Sequence, residues 1–178
     1  MISEAIRYPI GKLEVSDTIT PVQRADAIMG LAALPEQLRA AVQGLTDTQL
    51  DTTYREGSWT LRQVVHHVAD SHINAYVRFR LALTEPTPTI KPYIEDRWAE
   101  LIDARSMPVS VSLTLIDSLH ERWVTLLRGM ADEDFSKTFF HPENGVTSLA
   151  ATTMIYAWHG RHHTAVILKC RERQGWTT

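Results

Sequence analysis

Apolar residues recur at three- and four-residue spacing over four long stretches of the chain, and each stretch carries its own start or stop signals. The first is predicted from Pro21 to Gln43. Thr20 can cap it, Pro21 suits the first helical position because its missing N–H would be unpaired anyway, Gln23 completes a capping box, and Gly44 ends it. The second begins near Thr60, where Thr60 and Gln63 repeat the capping-box spacing, and continues to Leu83 before the proline-broken run Thr84-Glu85-Pro86-Thr87-Pro88. The third runs from Ser110 to Gly129, with Leu113, Ile116, Leu119, Trp123, Leu126 and Leu127 on one side. The fourth begins at Thr147 or Ser148 and extends to Arg173, closing on Lys169, Arg171 and Arg173, cations that suit the negative end of a helix dipole, before Gly175.

Four amphipathic stretches with almost no β-patterned sequence predict an all-α fold, a four-helix bundle that buries apolar stripes against one another. The single strand-like run is Phe139-Phe140-His141. Between the second and third helices lies a long connection, Thr84 to Pro108, with a short helix expected from Glu95 to Ala104; a connection of this size often covers a site and is a candidate lid. No repeat, charge block or low-complexity stretch divides the chain, so residues 1–178 are expected to form one domain, with residues 1–19 as an N-terminal arm.

Composition narrows the function classes. A chain of 178 residues can bury a core without a structural metal, so any metal it holds is expected to be functional. The net charge of -3 and the lack of a Lys/Arg cluster along any helix argue against nucleic-acid binding. One cysteine, Cys170, allows no intramolecular disulfide and fits a reducing compartment. The N-terminus lacks a basic segment followed by an apolar run, and no window approaches the ~18 apolar residues of a membrane span, so a soluble, unprocessed, cytoplasmic protein is expected.

The chemistry lies in the histidines. Eight occur, and six fall in two clusters: His66, His67 and His72 on the second helix, and His159, His162 and His163 on the fourth. At about 100° and 1.5 Å per residue, His159 and His163 project from nearly one side, one turn apart, a spacing that lets two imidazoles share an ion; His159 with His162 could chelate almost as well. A third ligand must come from another helix, and His66 and His67 are the available pair. On the helical wheel Leu61, Val64, Val65, Val68, His72, Phe79 and Leu83 define the apolar face. His67 heads a polar stripe with Ser71, Asn74 and Arg78, whereas His66 shares its side with Arg62, Ala69, Asp70 and Ile73. His72, His120 and His141 are read as hydrogen-bonded core, Cys170 as a small core hydrophobe, and Trp59, Trp123 and Trp158 as packing.

Several motifs carry a family resemblance over nearly the whole chain. They are Tyr8-Pro9-Ile10-Gly11, Tyr54-Arg55-Glu56-Gly57, the run from Trp59 to His72, Arg78-Phe79, Leu83-Thr84-Glu85-Pro86-Thr87-Pro88, Pro92-Tyr93, His120-Glu121-Arg122-Trp123, His141-Pro142 and Trp158-His159-Gly160-Arg161-His162-His163. Together they resemble the DinB superfamily of four-helix-bundle metalloproteins, and within it the YfiT-like metal-dependent hydrolases. The resemblance implies ligands at the position eight residues after the helix-opening tryptophan, here His67, and at an i, i+4 pair, here His159 and His163. It implies one divalent ion per chain, usually zinc with nickel as an alternative, and a homodimer. Gly160-Arg161 falls at positions the family leaves variable, so no ligand position is lost.

Three imidazoles leave coordination positions open for water or substrate, the arrangement of a catalytic site, and metal-assisted hydrolysis of a small-molecule substrate is the expected reaction. Arg78 or Asn74, on the same stripe as His67, is the candidate for orienting a polar or anionic substrate group. Glu56, Asp70 and Glu121 are candidate bases by residue type alone, and Asp70 could instead support a ligand imidazole. The alternatives are a thiol S-transferase, in which the ion binds a thiol cosubstrate, and a non-catalytic metal-binding module.

Overall fold

The computed structural model describes residues 4–16 and 18–176. In chain order its helices are α1 (Glu4–Arg7), α2 (Pro21–Val42), α3 (Asp47–Leu50), α4 (Leu61–Thr84), α5 (Glu95–Ala99), α6 (Ile102–Ser106) and α7 (Val109–Gly129). A 3₁₀ turn (Asp132–Ser136), strands β1 (Thr138–His141) and β2 (Gly145–Ser148), and α8 (Leu149–Gln174) complete the fold.

The long helices begin and end where their local chemistry directs. Thr20 and Thr60 accept from the backbone N–H of Gln23 and Gln63, whose side chains bond back to the capping residues, so both capping boxes form. Ser148 caps α8 by accepting from Ala151 N at 3.1 Å. Gly175 closes α8 in the left-handed conformation at φ 68°, where a side chain would be strained. Three features depart from the sequence expectation. The strand-like run pairs with a second strand, β2, antiparallel and in the register Thr138↔Ser148 to His141↔Gly145. The helix expected from Glu95 to Ala104 is two short helices, broken at Glu100-Leu101. The α3 turn carries a third capping box, Thr46 with Gln49, in a segment too short for apolar periodicity to register.

Each of α2 and α4 packs against both α7 and α8. Consecutive long helices α2 and α4 therefore stand diagonally across the bundle, as do α7 and α8, and the connections at 43–60 and 130–148 cross it. Short loops would have forced consecutive helices to be neighbours. Two apolar clusters fill the interior. One gathers Phe79, Trp123, Leu127, Leu149 and Tyr156; the other gathers Leu38, Leu61, Val64, Ile116 and Ile167. Between them, at the waist, lie polar positions of α4, α7 and α8, including the fully buried His72 and His120.

Two residues shape that waist. Gly160 lets α2 approach α8 beside His159: a Cβ there would lie 2.8 Å from Leu34 Cδ1 and closer still to Cδ2. Pro35, inside α2, has no N–H to give the carbonyl of Leu31 one turn earlier. That carbonyl instead accepts from His120 Nδ1 at 2.8 Å. Among the described residues no helix is long and apolar enough to cross a membrane.

Gly160→Ala should lower stability by about 1 kcal/mol. Overpacking against the buried Leu34 costs roughly 1–3 kcal/mol, while alanine gains up to about 1 kcal/mol in helix propensity. Denaturant unfolding of the two proteins checks the sign; a more stable variant would show that Leu34 yields freely.

Candidate metal centre

His67 enters from the first half of α4, and His159 and His163 from the middle of α8. Because the rings of His67 and His163 meet at one level and those of His72 and His159 at the next, the two helices run antiparallel here. One ring nitrogen from each of His67, His159 and His163 lies within 4.8 Å of the others. His67 Nε2 and His159 Nε2 approach to 3.1 Å. Two nitrogens bound tetrahedrally to zinc at 2.0–2.1 Å would sit about 3.3 Å apart, so this spacing suits a shared cation. His163 Nδ1 is buried with no hydrogen-bond partner among the described residues. Three neutral nitrogen donors, with an orphaned nitrogen on one ring, fit a divalent transition metal.

Burial drives the electrostatics. Desolvation, with the neighbouring His162, pulls His67 down to about 4, and desolvation with neighbouring imidazoles pulls His159 and His163 well below the ordinary range. Neutral imidazole is the form that binds metal. Behind the ligands, His159 Nδ1 meets His72 Nε2 at 3.1 Å, and His72 Nδ1 meets His120 Nε2 at 2.9 Å.

The other histidines are placed differently. His66 is bonded through both ring nitrogens, to Ser112 Oγ at 2.7 Å and to the Met107 carbonyl at 3.1 Å, which leaves it no free lone pair for a metal. His162 stacks on Trp158 with ring centroids 4.7 Å apart and, although its ring lies 5.0 Å from that of His163, is not among the three whose nitrogens converge. His141 accepts from Glu143 N at 3.2 Å in the hairpin turn.

A cavity of about 450 Å³ opens beside the three rings. Trp59, packed on His67 with centroids 4.6 Å apart, and Trp158 form apolar parts of its wall; Arg7 and Arg55 contribute cations, and Glu95 and Asp96 carboxylates. Neither Asn74 nor Arg78 lines it. Asn74 donates to the Asp70 carbonyl on its own helix, and Arg78 donates to Tyr156 Oη at 3.4 Å. They share the wheel position of His67 but stand roughly 10 and 16 Å further along the axis, so neither orients a group in this cavity as expected. Glu56 and Glu121 are also outside, and Asp70 contacts no ligand imidazole; its carboxyl is raised to about 6 by desolvation and Asp103. The support expected of Asp70 comes instead from His72.

Glu95 and Asp96 were not apparent from sequence, because they arrive on the long connection. That connection is a strap fixed to α4 rather than a loose lid: Gln63 Nε2 donates to the Ala99 carbonyl at 2.8 Å and Arg62 Nη1 to the Met107 carbonyl at 3.0 Å. Desolvation, aided by Asp96, raises the Glu95 carboxyl. A polar residue at the start of a short helix after Pro92-Tyr93 was the only available hint.

The chain is similar to known proteins over nearly its whole length. The family model described as the DinB superfamily matches residues 31–167. A protein of Bacillus mycoides (strain KBAB4) is 55% identical over 171 residues, covering 96% of this chain and 98% of its own, and one of Bacillus cereus (strain B4264) is 54% identical over the same shares. Both carry the name "Putative metal-dependent hydrolase". Among solved structures, YfiT from Bacillus subtilis, described as "a probable metal-dependent hydrolase with an unusual four-helix bundle topology", matches with TM-score 0.95 and 45% identity over 97% of this chain and 99% of its own. The four-helix bundle protein TT2238 matches with TM-score 0.55 and 23% identity over 79% of this chain and 94% of its own, a likeness of fold alone.

The buried rings predict acid sensitivity of the metal-free protein. His67 and His120 are held at about 4 and His72, His159 and His163 well below the ordinary imidazole value, against about 6.5 in the unfolded chain, so below pH 6.5 the unfolded state binds more protons. Stability is then fully present above pH 6.5 and is lost as pH falls towards 4. A ring held near 4 contributes about 2 kcal/mol to the loss between pH 7.5 and 5. The raised Asp70 and Glu95 carboxyls work in the opposite direction, two groups against these five rings. Denaturant midpoints at the two pH values, with chelator present, check this; equal midpoints would mean that the rings are not buried as neutral groups.

Proposed function

Because the chain belongs to the DinB superfamily and gathers three imidazoles at the floor of an open cavity, we propose that it is a zinc-dependent hydrolase of a small molecule, with His67, His159 and His163 as the metal ligands. The observation that carries this reading is the approach of three neutral imidazoles, one buried and two half-buried, within ligand distance of one another. A divalent ion held there supplies Lewis-acid polarisation and a more acidic water at neutral pH. A volume of about 450 Å³ suits a small molecule rather than a polymer segment. Trp59 and Trp158 offer it apolar faces. Arg55 lines the same cavity and brings a guanidinium suited to an acceptor on the substrate. Glu95 is the carboxylate for proton transfer: it lines the same cavity, and its raised affinity for a proton brings it closer to the working range of a general base.

The cavity also has room for a thiol cosubstrate beside the ligands, which keeps thiol S-transfer as a second reading. Zinc-loaded protein offered activated esters and amides, with and without a small thiol, separates the two: hydrolysis yields the free acid without thiol, whereas transfer yields a product only with it.

Glu95→Gln should reduce kcat for hydrolysis by roughly 10²- to 10⁴-fold with metal content unchanged. His67→Ala should lose tight zinc binding, and His66→Ala should keep it. Full activity in Glu95→Gln would remove the general-base role, and unchanged zinc content in His67→Ala would remove the ligand assignment.

A further inference from the structure

The waist of the bundle contains an unbroken row of four groups: the Leu31 carbonyl, His120, His72 and His159, joined at 2.8, 2.9 and 3.1 Å. A carbonyl can only accept, so His120 must hold its proton on Nδ1. A neutral imidazole has one donor and one acceptor, so His120 Nε2 accepts and His72 Nδ1 donates. By the same rule His72 Nε2 accepts and His159 Nδ1 donates, which leaves the lone pair of His159 on Nε2. That is the nitrogen facing His67 Nε2.

Neutrality of the rings follows from their setting. His72 and His120 are fully buried, and none of the three rings bonds to a carboxylate among the described residues; burial favours the uncharged form in each. The far end of the row is fixed by covalent structure. Pro35 cannot supply the N–H that would occupy the Leu31 carbonyl within α2, so that oxygen is available to His120.

Taking the metal reading above for its last link, we propose that His72 and His120 are positioning residues that hold His159 as the Nδ1–H tautomer and so present its Nε2 lone pair to a divalent cation, with the Leu31 carbonyl as the anchor that sets the direction. The direction is set more than a ring's length from the site, by a proline in another helix. Partners of this kind orient metal-ligating imidazoles and fix their tautomer. Because the row ends on a carbonyl rather than a carboxylate, it orients His159 without adding negative charge behind the cation.

Ring-nitrogen chemical shifts from ¹⁵N NMR of the metal-free protein report each tautomer directly. His120, His72 and His159 should all appear as Nδ1–H. His72→Leu removes both contacts and should free the His159 tautomer and weaken zinc binding, measured by chelator competition, roughly 10- to 100-fold. His72→Gln offers an amide N–H and C=O about a ring's width apart and should restore affinity to within a few-fold of wild type, a rescue that packing alone would not produce. An Nε2–H form of His159 in the wild-type protein overturns the proposal, as does wild-type zinc affinity in His72→Leu. If His72→Leu does not fold, the wild-type shifts and the glutamine variant decide alone. Failure of the wild-type protein to take up zinc would overturn the metal reading and the ligand half of this proposal, and it is separable because the tautomers are read without metal.

Discussion

Placing five imidazoles across the middle of an apolar bundle is the constraint on which the rest of this structure turns. His67, His72, His120, His159 and His163 each contribute two ring nitrogens to an interior flanked by apolar clusters on both sides. An unpaired polar group in such a place costs about 1–3 kcal/mol, so the layer persists only if its nitrogens find one another, a backbone carbonyl or a cation. The inner three rings satisfy one another in a row that ends on Leu31. The outer nitrogens are left to the cavity, and there they converge.

The surrounding fold makes room for that layer and then closes around it. Gly160 brings α2 close behind His159, while Pro35 sacrifices one bond of α2 and releases the carbonyl that the row requires. In an apolar bundle an interior proline would be a liability of about 3 kcal/mol. Here His120 recovers the lost acceptor. The diagonal placement of α2 against α4 contributes as well, because it sets α4 and α8, the two ligand-bearing helices, side by side.

The long connection shows how a bundle acquires chemistry that its four helices lack. Helices facing inward supply the neutral donors, whereas the carboxylates Glu95 and Asp96 come from the strap that crosses the mouth. Gln63, Arg62 and His66 pin that strap from α4, and Arg62 is itself held by Asp51 at 2.6 Å and Asp47 at 2.7 Å. A charged group on a strap fixed this way stands at a defined position over the floor of the cavity.

Local sequence determined the four long helices and their ends. The Thr20, Thr60 and Ser148 caps and the Gly175 stop act within a turn of themselves, and apolar periodicity needs no partner to be legible. The i, i+4 spacing of His159 and His163 was legible for the same reason, and the wheel sets His67 and His66 on different sides of their helix. The pairing of β2 with β1, the diagonal order of the helices, the absence of Asn74 and Arg78 from the cavity and the arrival of Glu95 were decided by tertiary structure alone. Each depends on groups far apart in the chain, and on distance along an axis as much as rotation about it. The row from Leu31 to His159 is the clearest case: its members span three helices, and the freedom of one carbonyl acquires meaning only when a histidine from another helix reaches it.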